Sequence, residues 1–269
     1  MFKQLIAALF LSAFALPIAA SADTNITAAG STALLPLVKQ SAADYQNAHP
    51  DVKIAVSGGG SFVGITQAQS GNVDMGDSDV IAPGNSGLVD HKVAVVGFGI
   101  IVNPSAGVKN LSAKQVRDIF AGRVSNWKDV GGADQQIVVI NRPRTSGTRF
   151  VFNAAIMGVS KIADGTQIVD SSGQVVSTVA ETPGTISYVA LGYARGKAVT
   201  LLSVNGIEPS DDNIRSGKYP IWSYEHIFTK GKASPQVQDF INYIMRNTDA
   251  LGKLGYLPVS VMRVSEANR

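Results

Sequence analysis

Three stretches of the sequence place glycine and hydroxyl residues directly before an apolar, helix-like run. They are GSTALLPL at 30–37, GGGSFVGI at 58–65 and TSGTRFVF at 145–152. Each follows a strand-like segment, so each predicts a helix that begins where a strand ends. Free backbone N–H groups and the positive end of a helix dipole attract anions at such a place. Ser and Thr are also ordinary helix N-caps, so capping alone remains an interpretation of any one stretch.

A pair of carboxylates lies in the stretch VDMGDSDV, at 73–80. Asp77 and Asp79 are two residues apart, so an extended backbone points both to the same side. Because an ionised Asp only accepts hydrogen bonds, an Asp beside an anion site favours an oxyanion that still carries a proton, such as HPO4(2−), over sulfate. A solvated loop Asp is the plain alternative. A metal site from Asp74, Asp77 and Asp79 is another, although the spacing matches no calcium loop.

Nucleotide chemistry and nucleophilic catalysis find little support in the motifs. No glycine run is followed by Gly-Lys-Ser/Thr, and GGGSFVG lacks the dinucleotide spacing. A phosphatase or serine hydrolase using Ser61 or Ser146 would need a nearby base. The three histidines, His49, His91 and His226, have no recognisable catalytic setting, and no Gly-x-Ser-x-Gly elbow is present.

The N-terminal segment MFKQLIAALFLSAFALPIAASAD has the composition of a secretory signal peptide. One early lysine precedes a short apolar run and the small residues Ala20-Ser21-Ala22, which predicts cleavage after Ala22. A membrane anchor is the alternative, but the apolar run is short for a span. The chain has no cysteine, which excludes disulfides and a lipid-modified cysteine. We therefore expect a free protein in an exported compartment.

The charge balance is nearly neutral. The chain has 23 basic and 20 acidic residues, and removal of residues 1–22 takes away only Lys3 among them, which leaves a net charge of +2. This argues against a general role in binding nucleic acid or a membrane surface. The length of 269 residues suits one large domain or two modest lobes, and no internal repeat is visible.

Strand-like and helix-like patterns alternate along the chain, which predicts an α/β fold. The helical patterns include 34–49, a helix that Gly71 ends, and a helix opened by the capping-box spacing Ser112 to Gln115. A late helix has Ser234 as its N-cap and Pro235 at its first position. The strand-like runs are 51–58, 72–80, 91–104, 137–142 and 184–194.

At this level of detail the sequence resembles the periplasmic phosphate-binding proteins of the high-affinity phosphate ABC transporter family. The resemblance covers nearly the whole mature chain; its most specific motifs are IFAGRVSNWKDVGG at 119–132 and the Arg-x-x-x-Ser-Gly-Thr element at 142–148. It implies a two-lobed type II periplasmic binding protein, each lobe a mostly parallel sheet flanked by helices, with the ligand in the cleft between lobes. The expected boundaries are 23–98 with 200–269 for lobe 1 and 99–199 for lobe 2.

The resemblance also assigns the phosphate ligands by position. Thr32 would supply a hydroxyl and Ala33 a backbone N–H, Ser61 would supply both, and Asp79 would accept the proton of phosphate. Arg142, rather than Arg144 or Arg149, would be the cationic clamp that binds the phosphate. The full expected set is Ser31, Thr32, Ala33, Ser61, Asp79, Arg142, Ser146, Gly147 and Thr148.

Two positions depart from the family pattern. Ala33 stands where many relatives have an aromatic residue, with little expected loss because only its backbone binds. Asp77 adds a carboxylate where relatives usually have a small residue. Two ionised carboxylates beside one dianion are costly, so we expect Asp77 to point away or to pair with a cation.

The resemblance implies a non-catalytic, monomeric receptor that delivers inorganic phosphate to the permease subunits of an ABC importer, with no metal, cofactor or nucleic acid. A receptor for sulfate, molybdate or tungstate is an alternative within the same fold, with Asp79 as the feature against it. A secreted adhesive or phosphate-scavenging protein on the same scaffold is a third.

Overall fold

The computed structural model describes residues 24–264, so the predicted signal peptide lies outside the described residues. The described chain alternates strands and helices as the sequence predicts. The strands are β1 Thr24–Gly30, β2 Val52–Ser57, β3 Met75–Ser78, β4 Leu88–Val102, β5 Asn110–Leu111, β6 Val138–Asn141, β7 Gln167–Ile168, β8 Thr185–Ala190, β9 Thr200–Leu201, β10 Ser203–Val204, β11 Trp222–Lys230 and β12 Tyr256–Leu257. The helices are α1 Leu35–Ala48, α2 Ser61–Ser70, α3 Ala113–Phe120, α4 Gly147–Phe152, α5 Ser172–Glu181, α6 Leu191–Ala194, α7 Asp211–Arg215, α8 Pro235–Arg246 and α9 Thr248–Leu254.

Local sequence explains where several of these helices start and stop. α2 ends at Gly71, whose backbone is left-handed as the C-cap position favours. α3 carries the full capping box between Ser112 and Gln115. α8 has the Ser234 hydroxyl as its N-cap with Pro235 in the first turn. These predictions are confirmed.

The long strand β4 joins the two halves of the main sheet. Its first part pairs with β11, from Leu88 to Gly97, and its last part pairs with β8, from Phe98 to Val102. On one side lie β1, β2, β3 and β11, which form the first half of the sheet. On the other side lie β6, β7 and β8, which form the second half.

The sheet is mixed, which refines the expectation of mostly parallel strands. The pairs β1–β2, β1–β3, β6–β7 and β6–β8 are parallel, as strands joined by helical crossovers should be. β4 pairs antiparallel with β8, β9, β11 and β12, and β11 also pairs antiparallel with β3. The reason is that neither strand belongs to a strand–helix–strand repeat: β4 runs through both halves, and β11 pairs beside it in the first half.

The predicted strand at 184–194 is too long. β8 ends at Ala190 and the chain turns into α6, where the sequence alone suggested a continuous strand. A tertiary contact fixes this turn, because the Tyr193 hydroxyl donates to the Thr32 carbonyl at 2.7 Å.

The apolar core follows the sheet. A large cluster surrounds β1, β4 and β11 and includes both tryptophans, Trp127 and Trp222. A smaller one lies between α5 and the second half of the sheet, built from Ile101, Ile140, Val175, Val176, Val179, Val189 and Ala194. Within residues 24–264, no helix is both long and apolar enough to span a bilayer.

Candidate functional site

Loops from both halves of the sheet converge on one buried polar site. The first half contributes the β1–α1 loop, the start of α2 and the residue after β3. The second half contributes the end of β6, the start of α4 and the start of α5. The buried polar residues of these segments include Ser31, Thr32, Ser61, Asp79, Arg142, Ser146, Thr148 and Ser172.

Asp79 lies where the two halves meet. Its carboxylate accepts hydrogen bonds from the Ser31 hydroxyl and, at 2.8 Å, from the Thr148 hydroxyl on the opposite half. Its backbone N–H donates to the Ser61 hydroxyl at 2.8 Å. Burial raises the pKa of Asp79, while the hydrogen bonds from Ser31 and Thr148 and the charge of Arg142 act in the opposite direction. Burial is the larger effect, so the pKa of Asp79 stays above its ordinary value, but these contacts stabilise the ionised carboxylate, which is a pure acceptor.

Arg142 brings a buried positive charge to the same place. Its Nη2 donates to Thr32 Oγ1 at 3.0 Å and to the Asp170 carbonyl at 2.9 Å, and its Nη1 reaches Ser172 Oγ at 3.5 Å. Its Nε has no hydrogen-bond partner, and its guanidinium makes no ion pair, among residues 24–264. Burial lowers the pKa of Arg142, yet a guanidinium stays protonated in proteins. A buried cation without a carboxylate partner is a strong attractor for an anion.

Backbone N–H groups at the three predicted helix starts add to this donor set. Among the described residues, no acceptor is recorded for the N–H groups of Thr32, Ser61, Gly147 and Thr148. The first belongs to the β1–α1 loop and the others open α2 and α4. Helix N-termini leave such donors unpaired, which makes them suited to an oxyanion.

Two predicted ligands have other roles in this conformation. The Ser146 hydroxyl accepts from the Arg149 N–H at 3.2 Å and so caps α4. The Ala33 N–H donates to the Ser31 hydroxyl at 3.0 Å. Their direct contact with a ligand stays a prediction.

Gly147 allows the two halves to approach closely. A Cβ atom at this position would lie 2.1 Å from Ser61 Oγ and 2.9 Å from the Asp79 Cβ. Only glycine fits such a distance, because real Cβ contacts are longer. The Ser-Gly-Thr turn therefore matters for its size as well as for its donors.

The other arginines of the stretch lie outside the donor set. Arg144 is exposed and has no recorded contact with Asp77 or Asp79 in the described structure. Arg149 is half-buried, and its Nη1 donates to the Arg142 carbonyl at 2.7 Å. Arg149 thus supports the backbone of Arg142.

Asp77 is buried, and no cation pairs with it among residues 24–264, although pairing with a cation was one of the two outcomes that we expected. It is completely buried, and neither carboxyl oxygen has a hydrogen-bond partner among residues 24–264. Burial raises the pKa of Asp77 well above its ordinary value. Protonation, rather than pairing with a cation, therefore relieves the cost of this second carboxyl group.

The three acidic residues of this segment do not form a metal site. Asp74 bonds instead to the Thr27 N–H and hydroxyl, both at 2.8 Å. Among residues 24–264, no group of three or more histidines or carboxylates is arranged to hold a metal ion.

Ser172 is a site residue that the sequence analysis missed. Its hydroxyl lies 3.1 Å from Thr32 Oγ1 and contacts Arg142, and its N–H donates to Thr32 Oγ1 at 3.3 Å. It is the first residue of α5, whose N-cap Ser171 accepts from the Gln174 N–H. The spacing from Ser171 to Gln174 matches a capping box and would have revealed this fourth helix start.

Comparisons with known proteins identify the family of this chain. A model of the PBP superfamily domain matches residues 17–248. A phosphate-binding protein PstS of Bacillus subtilis is 41% identical over 253 residues, which cover 91% of this chain and 84% of that protein. This chain belongs to the PstS family of the PBP superfamily.

Solved structures of related proteins support the same family assignment. A phosphate ABC transporter substrate-binding protein from Clostridium perfringens, solved with bound phosphate, superposes with a TM-score of 0.83 at 28% identity, over 88% of this chain and all of that one. An ABC-type phosphate transport receptor from Vibrio cholerae superposes with a TM-score of 0.71 at 28% identity, over 86% and 99%. The expected two-lobed type II fold of the PstS family is confirmed by this likeness.

Proposed function

We propose that this chain binds inorganic phosphate between its two lobes and delivers it to an ABC-type importer. The observation that carries the proposal is the arrangement around Asp79. A carboxylate acceptor lies within a set of donors made of Arg142, several hydroxyls and four backbone N–H groups that have no acceptor among residues 24–264. Such a set suits an anion that also has a proton to donate, and HPO4(2−) and H2PO4(−) are such anions.

The relatives support phosphate as the ligand. The Bacillus subtilis protein is named for phosphate binding, and the Clostridium perfringens structure contains phosphate. By position we propose Ser31, Thr32, Ala33, Ser61, Asp79, Arg142, Ser146, Gly147 and Thr148 as the ligand-binding residues, and we add Ser172 to them.

Asp79 argues against sulfate, molybdate and tungstate as the main ligand. A fully ionised oxyanion has no proton for the Asp79 carboxylate, so two acceptors would face each other in a buried site. The cost of such an unpaired acceptor is about 1–3 kcal/mol or more, which favours phosphate.

We propose a receptor rather than an enzyme. In the described structure the three histidines bond or stack away from Ser61 and Ser146. His226 Nδ1 lies 2.8 Å from Asp90, His91 Nε2 lies 3.2 Å from the Thr229 hydroxyl, and His49 stacks on Tyr45. A serine nucleophile would therefore lack an imidazole base. Phosphate release from a chromogenic ester, above that of buffer, would contradict this part of the proposal.

The remaining parts of the proposal concern the whole protein. We propose a monomer that acts in the periplasm after cleavage near Ala22 and that contacts permease subunits of the importer. For the lobes, we propose that the chain leaves lobe 1 within β4, near Gly99. Pairing of β10 with β5 and of β9 with the end of β4 favours a return to lobe 1 near Ile221 rather than near Thr200.

Calorimetric titration tests the function. The protein is first stripped of ligand by unfolding and dialysis, refolded, and then titrated with phosphate and separately with sulfate. We expect a one-to-one phosphate isotherm with a micromolar or lower Kd, which corresponds to a binding free energy of about −8 kcal/mol or more negative. Absence of heat with phosphate, in a protein that has refolded by circular dichroism, would contradict the proposal.

A further inference from the structure

Glu225 is a buried acid that the proposed ligand set does not use. It lies in β11, and its side chain is fully buried. Among residues 24–264, no hydrogen-bond donor reaches either of its carboxyl oxygens. The ionised form of a buried carboxyl group is strongly disfavoured when no donor or cation is near it, so Glu225 should be protonated.

The strand register places Glu225 directly behind Asp79. β11 and β3 pair antiparallel, with His226 opposite Ser78 and Ile227 opposite Asp77. The next step of this register brings Glu225 opposite Asp79. Side chains at opposite positions of an antiparallel pair lie on the same face, about 4.5–5.5 Å apart at Cβ. Asp77, two residues before Asp79, shares that face.

Within residues 24–264, acids and phenols surround Glu225 and it makes no ion pair. The groups that face it are Asp77 and Asp79 at β3 and the phenol of Tyr256 on β12. Tyr193 of α6 and Arg142 interact electrostatically with Asp79, and α2, which packs on this part of the sheet, has no charged residue. On β4, Glu225 pairs with Ala94; Asp90 bonds to His226 and Lys92 lies over the Tyr224 ring. His226 and Tyr224 flank Glu225 in β11, so their side chains point to the opposite face of that strand.

Two adjacent buried carboxyl groups cannot both be ionised at neutral pH, so they share one proton. Asp79 receives hydrogen bonds from Ser31 and Thr148 and feels the charge of Arg142, whereas Glu225 receives none. Burial first, and then Asp79 and Asp77, raise the pKa of Glu225 well above its ordinary value. The proton therefore belongs on Glu225, and a protonated Glu225 can donate to Asp79.

We infer that Glu225 is a specificity-determining residue of the phosphate site, a neutral acid that donates a hydrogen bond to Asp79 from behind and keeps Asp79 ionised as an acceptor. This inference rests on the proposed phosphate function and deepens it. Without the donor at Glu225, Asp79 would take up a proton more readily. A protonated Asp79 can donate to an oxyanion without a proton, and discrimination against sulfate would fall.

The inference also sets a pH dependence. Glu225 has a raised pKa, so it is neutral at and above the pH where glutamate normally ionises, and it loses its proton only as the pH rises through that raised value. Phosphate is then opposed by a second carboxylate beside Asp79, and its affinity falls. An amide at position 225 donates to Asp79 but cannot ionise, so this alkaline decline disappears.

The test compares wild-type protein with Glu225→Gln, Glu225→Leu and the matched control Glu181→Gln, whose site is exposed at the end of α5. Phosphate and sulfate are titrated calorimetrically from acidic to alkaline pH, and the melting temperature of each variant is recorded. Infrared difference spectra of ligand-free wild type minus Glu225→Gln report the carbonyl stretch of a protonated carboxyl group.

We expect Glu225→Leu to weaken phosphate binding about tenfold or more and to raise the affinity for sulfate relative to phosphate, since a hydrogen bond to a charged group is lost. Glu225→Gln should restore neutral-pH phosphate affinity to within about threefold of wild type and abolish the alkaline decline. The infrared difference should show a protonated carboxyl at neutral pH, and Glu181→Gln should match wild type throughout.

Two results would overturn the inference alone: no protonated-carboxyl band in the infrared difference, or a pH profile of Glu225→Gln that superimposes on that of a phosphate-binding wild type. If Glu225→Leu fails to fold, the comparison of wild-type protein with Glu225→Gln and the infrared measurement still test the inference. Failure of wild-type protein to bind phosphate at any pH would instead contradict the proposed function, and the role of Glu225 in selectivity with it.

Discussion

At the scale of single residues, the site combines one buried cation with one buried anion that do not form an ion pair. Arg142 and Asp79 are each nearly inaccessible to solvent, yet they do not bond to each other. Arg142 donates to the Thr32 hydroxyl across the cleft and to the Asp170 carbonyl, and Asp79 accepts from the Thr148 hydroxyl across the cleft. Desolvated charges are costly unless a ligand or partner compensates them. A protonated oxyanion compensates both, because it offers oxygens to Arg142 and a proton to Asp79.

Replacement of Arg142 by Ala should weaken phosphate binding by about 2–5 kcal/mol, because the site loses its only buried cation contact among the described residues. Arg144→Ala should change binding by less than about 0.5 kcal/mol, since that side chain is exposed. Arg149→Ala should fall between them, because its hydrogen bond holds the Arg142 carbonyl. Calorimetry on the three variants measures this order, and equal losses in all three would show that Arg142 is not the clamp.

A local motif in the sequence marks most of the residues that the structure brings together. These are Ser31, Thr32, Ser61, Asp79, Arg142, Ser146, Gly147 and Thr148, and their contact with a ligand stays a prediction. Glu225 was not predicted, because only the pairing of β11 with β3 brings it opposite Asp79. The state of Asp77 was not predicted either, since burial depends on elements far away in the sequence.

At the scale of elements, the site is made by helix N-termini that point inwards from both lobes. α2 and α4 begin at Ser61 and Gly147, and α5 begins at Ser172 beside Arg142. The sequence predicted the first two because glycine and hydroxyl runs precede them. It also contained the capping spacing of α5, but no apolar strand of clear length leads into that helix, since β7 has only the two residues Gln167–Ile168.

Gly147→Ala should weaken phosphate binding on the order of 10- to 100-fold, because the added Cβ would collide with Ser61 and Asp79 when the lobes meet. The matched control is Gly173→Ala in α5, where the nearest atom to an added Cβ is Tyr193 Cε1 at 3.8 Å. Calorimetric affinities and melting temperatures of both variants check this. A Gly147→Ala protein that binds phosphate like Gly173→Ala would show that close approach at this turn is unnecessary.

At the scale of the whole molecule, the structure is a closed arrangement of the two lobes. The Phe62 N–H donates to the Thr145 carbonyl at 3.2 Å, and the Phe62 and Phe150 rings are 6.0 Å apart at their centroids. These contacts join α2 with the α4 region across the cleft. The alternation of strands and helices predicted the fold class. The antiparallel pairing of β4 depends on its passage from one half of the sheet to the other and could not be derived from local pattern.

Ligand-stripped protein should be more open than the phosphate complex, because the contacts across the cleft are then supported by no oxyanion. Small-angle X-ray scattering should show a smaller radius of gyration after phosphate is added. The Arg142→Ala variant should show no such change at the same phosphate concentration. Identical scattering of wild-type protein with and without phosphate would contradict hinge closure on the ligand.

The central claim is that Asp79 selects an oxyanion that carries a proton, and the most direct measurement compares phosphate and sulfate affinities of wild-type protein and Asp79→Asn. Wild-type protein should bind phosphate and should bind sulfate only far more weakly, so that titration at high sulfate concentration sets the reference ratio. In Asp79→Asn the amide can donate to sulfate, so the phosphate-to-sulfate ratio should fall by about 10- to 100-fold, the range that corresponds to one hydrogen bond to a charged group. An unchanged ratio in Asp79→Asn, with phosphate still bound, would contradict the claim.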